Sequence, residues 1–307
     1  MSEEVGQPDW LRNDSITGGG VSTSASSNEN FSMPLPSNKS SSSPLLQKFQ
    51  SGAATLSLLL TLVSIIIVSL LANAWGGVAW SEGHAKQVFN WHPILMICAY
   101  AFMNVGVLIF RLSGTSSYQQ QTKNEQLRQS EQSTAVFGEE TKNKRGFIKL
   151  THSTIWACTF LFGVIGILAV FKSHNDPVSG YIANLYSLHS WVGIFVLTLY
   201  CVQFLYGILA FGGFLSTRGR FNHPIMMEIH KFTGTYLHIM VTATILIGIQ
   251  EKESFFGCSY EVQEADLVPF KNLGMIPGAC KLSHGLGMVV LAIGLLTSFS
   301  LSRLPVF

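Results

Sequence analysis

Six stretches near 52–74, 93–110, 150–171, 188–212, 229–250 and 282–302 are almost uncharged, and the polar and charged residues gather between them. Each is about 20 residues long, which at about 1.5 Å rise per residue makes a helix that crosses a hydrocarbon core of about 30 Å. A barrel strand would be half that length and would alternate apolar with polar residues, and these stretches do neither. The pattern therefore predicts an all-α, polytopic membrane protein with six transmembrane helices.

The segments outside the spans are equally uneven. The first fifty residues are rich in Ser, Asn and Gly, with no apolar run and no basic leader, so they are expected to form a disordered tail rather than a cleaved signal. The polar stretch 113–143 reads as a second flexible segment, and no internal repeat is apparent. The expected organisation is a tail over 1–50, a six-helix domain over 51–303 and a short C-terminus over 304–307. Overall composition agrees with a membrane protein, at 48% hydrophobic and 12% charged residues. The charges also give an orientation. Fourteen Lys and Arg fall on the side shared by both termini and the loops 112–149 and 213–228, against five on the other, so both termini are expected in the cytoplasm. Trp75, Trp80 and Trp91 would then belong to an interfacial belt on the outer side.

Candidate chemistry enters with the histidines. His92, His152, His189 and His230 each stand at the leading end of one of four successive spans. An ionisable residue inside a membrane helix is costly without a partner and marks function. Chain direction pairs them by depth, His92 with His189 near the outer face and His152 with His230 near the inner one. Two imidazoles filling both axial positions of a haem iron leave no place for oxygen, which favours electron transfer. The expectation is two b haems per chain, with electron transfer through the haems rather than through a catalytic side chain. A lone histidine at a helix end is more often an interfacial or hydrogen-bonded residue than a ligand, but four in depth-matched pairs are harder to explain that way. His84, His174 and His223 lie in loops or at span ends. His238 shares a span with His230 and competes as a ligand, and His230 is preferred because it matches His152 in depth. Cys98, Cys158 and Cys201 lie within spans as apolar residues, whereas Cys258 and Cys280 bracket an outer loop and are expected to form a disulfide.

The string Phe89-Asn90-Trp91-His92-Pro93, the run from Asn184 to Gly193 (Asn-Leu-Tyr-Ser-Leu-His-Ser-Trp-Val-Gly) and Phe171-x-x-His174-Asn175 resemble the cytochrome b561 family. They are most similar to its duodenal ascorbate-dependent ferric reductase type. The resemblance spans about residues 50–302 and implies a homodimer of six-helix subunits, each with two b haems, passing electrons from cytoplasmic ascorbate to an acceptor outside. It also implies the same histidine pairing.

Carried onto this chain, the resemblance implies that Arg111, Arg145 and Lys149 hold haem propionate or the ascorbate anion, since fixed positive charge collects and orients a monoanionic donor. As positive-inside anchors the same residues would need no such role, which is the preferred reading of Lys142 and Lys144. The family has an Arg seven residues before the fifth-span histidine. Here His223 stands there, and Arg220, with Arg218 as the alternative, is expected to shift into place. On the outer side Phe171, His174, Asn175 and Glu251 are expected to line the acceptor site, a donor set suited to a chelated transition metal. Glu251 and Lys252 could equally be solvated helix-end charges. Asn184, Tyr186 and Ser187 are expected beside the outer haem. The favoured acceptor is ferric iron as a chelate, with lumenal monodehydroascorbate as the alternative. A divalent-metal transporter is the reading from another class, disfavoured because the span interiors hold no Asp or Glu. No nucleic-acid partner is expected, and the plasma membrane and endosomal or secretory vesicle membranes all suit the topology.

Overall fold

A computed structural model describes residues 44–113, 134–211, 224–255, 258 and 278–302. Its helices are α1 (Pro44–Ala74), the short α2 (Ala85–Phe89), α3 (Trp91–Leu112), α4 (Thr134–His174), α5 (Leu188–Phe211), α6 (Pro224–Phe255) and α7 (Gly278–Leu301). Six helical stretches are long and apolar enough to cross a membrane, with α2 and α3 forming one of them. The six expected spans are all present and most extend beyond the apolar core. Thus α1 starts at Pro44, inside the expected tail, and α4 takes in residues 134–143 of the expected flexible segment. Pro44 suits a first helical turn, where no amide proton is needed, and Glu139, Glu140, Lys142 and Lys144 are good helix formers.

Two apolar clusters organise the bundle. Val68, Leu71, Ile97, Tyr100, Leu286, Val290 and Ile293 join α1, α3 and α7, while Met103, Trp156, Val196, Tyr200 and Leu237 join α3, α4, α5 and α6. Neighbouring helices pack as α3 with α4, α1 with α7, α1 with α3, α5 with α6 and α6 with α7. One end of the bundle, here the upper end, carries residues 75–84 and 175–187; the lower end carries Gln50, Arg111, Lys149 and Ser302.

Between α1, α3 and α7 lies a fully buried polar knot. Asn104 donates to the hydroxyls of Ser57 and Thr61, both at 2.9 Å, and accepts from Thr297 at 2.7 Å, and the Ser57 and Thr297 hydroxyls bond each other at 2.7 Å. Hydrophobic pressure between helices is weak in lipid, so such bonds specify which helices associate. Asn104→Ala removes three buried hydrogen bonds that join α3 to α1 and α7, and it is expected to cost about 1–3 kcal/mol, read as an earlier unfolding midpoint in detergent.

The upper end is closed by tied loops. Chain reversal after α1 uses Gly76 at φ 95°, a conformation that costs glycine little. The Asn90 amide then donates to the Gly77 carbonyl at 2.8 Å and the Trp75 carbonyl at 3.3 Å, fixing the start of α3. A two-stranded ribbon, β1 (Asn175–Asp176) and β2 (Gly180–Tyr181), follows α4, antiparallel with Asn175 opposite Tyr181. Gly83, at φ 76°, donates its amide proton to both carboxylate oxygens of Asp176 at 3.1 and 2.9 Å, joining the first loop to the ribbon.

Candidate functional site

The four span-leading histidines meet as two pairs at opposite ends of α3–α6. His92 of α3 and His189 of α5 have ring centroids 6.1 Å apart with planes at 80°; His152 of α4 and His230 of α6 have centroids 6.4 Å apart with planes at 69°. An imidazole nitrogen binds a metal at about 2 Å and lies about 1 Å from its ring centre. Two rings on opposite faces of one iron therefore have centroids about 6 Å apart, and both pairs fit a bis-histidine haem. On α3 the two levels, His92 and Gly106, are 14 residues or about 21 Å apart.

Each ring is held by its other nitrogen. Nδ1–H of His92 donates to the Gly166 carbonyl at 3.1 Å, that of His152 to Gly106 at 2.8 Å and that of His189 to Thr244 at 3.1 Å. Donation from Nδ1 leaves Nε2 without a proton, which is the state a metal ligand requires. The Gln203 amide lies 3.0 Å from Nδ1 of His230, donates to the His230 carbonyl at 2.8 Å and accepts from Thr233 at 2.7 Å.

Glycines make room for the rings. A Cβ at Gly248 would lie 2.6 Å from Cε1 of His189, and one at Gly207 would lie 3.1 Å from Cε1 of His230. The contacts are reciprocal. His92 on α3 bonds Gly166 on α4, and His152 on α4 bonds Gly106 on α3; likewise His189 on α5 meets Gly248 on α6, and His230 on α6 meets Gly207 on α5. The spacing from histidine to glycine is 14 residues on both α3 and α4 and 18 on both α5 and α6. Gln203 and these four glycines are not among the residues that the sequence singles out, and the repeated spacing of the glycines acquires meaning only once the opposing rings are known.

The upper pair opens into a cavity of about 270 Å³ whose lining includes Phe171, His174, Asn184, Tyr186, Glu251 and Lys252 as well as His92 and His189. His174 is the buried last residue of α4, bonded through Nδ1 to Asn184 at 3.1 Å and stacked on Phe89 at 6.2 Å. Burial, then the neighbouring Glu251 carboxylate, push the Tyr186 hydroxyl up to about 12, so at neutral pH it is a proton-bearing donor. Leu185, between Asn184 and Tyr186, is the one non-glycine residue with a left-handed backbone among the described residues, φ 56°. Such strain persists where surrounding contacts hold it, and here it presents both neighbours to the cavity.

Two expected members of this site lie elsewhere. Asn175 and Ser187 are not among the cavity residues. The Asn175 amide donates to the Phe171 carbonyl at 2.8 Å, finishing α4, and the Ser187 hydroxyl accepts from the Ser190 amide at 3.2 Å, capping α5. Both satisfy helix-end groups that otherwise lack partners. Lys252 departs from the solvated-charge reading, for it is 9% exposed and its ammonium sits 4.0 Å from the centre of the Phe89 ring.

At the lower end Arg111 turns toward α1 and donates from Nη2 to Gln50 Oε1 at 2.6 Å, while Gln50 Nε2 donates to the Ser302 carbonyl at 2.9 Å. Nε of Arg111 is buried without a partner among the described residues. This arginine therefore joins α1, α3 and α7 while keeping one donor for another acceptor. Lys149 is exposed, one turn before His152. The side chain of Arg145, together with Arg218, Arg220 and His223, lies outside the described residues. His238, the competing ligand, is 1% exposed and stacks on Tyr100 at 5.1 Å. Its ring faces α3, and neither nitrogen has a partner among the described residues. Cys258 and Cys280 are joined by a disulfide that ties the end of α6 to the start of α7, whereas Cys98, Cys158 and Cys201 are free thiols.

Asp176 supports the cavity from outside. Burial pushes its carboxyl up, but hydrogen bonds from Gly83, Val178 and Ser179 outweigh that and hold it below the ordinary value of 3.8. A depressed carboxyl contributes stability that is present above the ordinary value and is lost as pH falls through the folded one. Asp176→Asn is accordingly expected to unfold earlier than wild type at pH 6–8, and the two melting curves should converge on acidification below 3.8.

Residues 132–256 match the family model for eukaryotic cytochrome b561. The lysosomal membrane ascorbate-dependent ferrireductase of Homo sapiens is 30% identical over 227 residues, covering 74% of this chain and 77% of that protein. The plasma membrane ascorbate-dependent reductase of Xenopus laevis is 28% identical over 201 residues, covering 65% of this chain and 60% of that protein. Transmembrane ascorbate ferrireductase 1 of Arabidopsis thaliana is 27% identical over 216 residues, covering 67% and 76% respectively. The chain therefore spans three fifths of the length of the frog relative and about three quarters of the other two.

Proposed function

Since the chain belongs to the cytochrome b561 family of membrane haem proteins, we propose that it carries single electrons across a bilayer from ascorbate, through two bis-histidine b haems, to an acceptor at the opposite face. The observation that carries this reading is the pair of imidazole couples spaced for a shared iron, one near each end of the same four helices. When bound, the haems supply the one-electron redox chemistry. The protein's residues hold and orient. His152 and His230 are the lower ligands, His92 and His189 the upper ones, and Gly106, Gly166, Thr244 and Gln203 fix their rings. Haems held between two imidazoles would supply electron transfer rather than oxygen activation.

Ascorbate enters at the lower, cytoplasmic end, where Lys149, Arg145, Arg220 and the spare donor of Arg111 supply positive charge for the anion and for haem propionates. The acceptor meets the upper cavity, with His174, Asn184, Tyr186 and Glu251 around it, and ferric iron presented as a chelate is the favoured acceptor. Imidazole, amide and carboxylate are ligands that such a metal accepts, and the relatives from Homo sapiens and Arabidopsis thaliana are named ferrireductases. The functional unit is a homodimer with both termini cytoplasmic, in the plasma membrane or a vesicle membrane.

The test is a reduced-minus-oxidised spectrum of purified protein, with dithionite and then with ascorbate. A low-spin b-type spectrum largely reduced by ascorbate is expected, and protein expressed with ample haem that shows no such absorbance overturns the reading. Vesicles with ascorbate on the cytoplasmic-loop side, holding ferric chelate or monodehydroascorbate on the other, then identify the acceptor by which one is reduced.

A further inference from the structure

Lys252 is the buried lysine of the described residues, and it has no part in the proposed electron path. It stands at the upper end of α6, one residue after Glu251 and four after Gly248, the glycine that seats His189. Its ammonium lies 4.0 Å from the Phe89 ring centre and 5.3 Å from that of Trp75, an aromatic cage of the kind that holds a cation away from water. The Phe89 ring is in turn 5.8 Å from that of His92. The ammonium is therefore within about 10 Å of the His92 imidazole. It also lines the cavity shared by His92 and His189. The neighbouring carboxylate, Glu251, interacts with the Tyr186 hydroxyl.

A long flexible lysine at a helix end ordinarily extends to water, where its charge is fully solvated. Here the side chain folds inward under Trp75 and Phe89. Within a membrane a fixed charge acts through a lower dielectric than in water, so a nearby change of one electron feels it strongly. Reduction potentials of haems follow local net charge and burial. We propose that Lys252 sets the potential of the upper haem, its caged ammonium stabilising the electron there and so favouring transfer from the lower pair to the upper. The assignment rests on the two-haem reading above. One electron moves between the pairs and no bond or proton changes hands. Lys252 acts through the field alone and is a positioning charge, not a ligand.

The experiment is a spectroscopic redox titration of the purified full-length protein in four forms: wild type, Lys252→Met, Lys252→Gln and Lys252→Arg. In the Met and Gln variants one of the two midpoint potentials should fall enough to lower the reduced-to-oxidised ratio at least tenfold at a given ambient potential, 59 mV for one electron. The other potential should stay. Arg keeps the charge and should remain near wild type, which a role in packing alone would not require. Repeating the pair of neutral variants on a His152→Ala background leaves only the upper site, and its single potential must carry the shift. Unchanged potentials in both neutral variants overturn the assignment. So does an Arg variant displaced as far as Met, or loss of the upper haem in both neutral forms, since either makes the residue structural. Wild-type protein without a b-type spectrum overturns the underlying two-haem reading, a result recognisable before any variant is measured.

Discussion

On the proposed two-haem reading, replacing His152 with alanine is expected to lower haem content from about two per chain to about one and to abolish reduction by ascorbate at the lower end. The lower pair is His152 with His230, centroids 6.4 Å apart, and with one imidazole removed only His230 would remain to hold a haem there. The upper pair does not depend on it. His92 and His189 are held by Gly166 and Thr244, and their level lies about 21 Å away along α3. Pyridine haemochrome analysis against protein concentration checks the stoichiometry, and stopped-flow mixing with ascorbate checks the loss of entry. The residual haem should still be reduced by dithionite, with a b-type spectrum. Retention of two reducible haems by the variant would mean that His152 is not a ligand, and His238 would then be the first residue to reconsider.

Gly248→Ala is expected to damage the opposite end. The added Cβ would stand 2.6 Å from Cε1, 3.0 Å from Nδ1 and 3.1 Å from Nε2 of His189, so the ring must move. That ring has little freedom, because its Nδ1 already bonds the Thr244 carbonyl one turn away on the same helix. Helix propensity by itself favours alanine over glycine by about 1 kcal/mol, so α6 should form at least as well as before. The predicted outcome is a folded protein that has lost affinity for the upper haem by about 10–100-fold, the usual cost of disturbing a group that orients a metal ligand. Haem retention through dialysis, compared with retention of the lower haem in the same sample, measures it. Gly207→Ala offers a milder comparison, with its nearest approach to His230 at 3.1 Å.

Both variants act on residues of unequal visibility. His152 could be chosen from the chain alone, because a histidine at the edge of an uncharged run is chemically conspicuous and depth along a helix follows from counting. Gly248 could not, since glycine is common in membrane helices and a notch has meaning only once the opposing ring is known. The same holds for Gln203 and Asn104, whose partners lie 27 to 193 residues away. Arg111 and Lys252 illustrate a different limit. Their charges and positions at span ends were evident, but an anchor, a ligand for an anion and a buried cation have the same sequence signature. Asn175 and Ser187 sit in the motifs that carry the family resemblance, yet their side chains finish helices instead of lining the cavity.

What the chain alone determined was whatever follows from local hydrophobicity and helical rise: six spans, their alternating direction, and the division of four histidines into two depth-matched couples. Each of these depends on distance along one helix axis, which 1.5 Å per residue supplies. Tertiary structure decided everything that depends on rotation about those axes. It turned Arg111 toward Gln50, folded Lys252 beneath Phe89, placed glycines against imidazoles and enclosed Asn104 among three hydroxyls. In lipid, where apolar faces gain little from meeting one another, that rotation is set by close packing and interhelical hydrogen bonds, and both require residues from several helices at once.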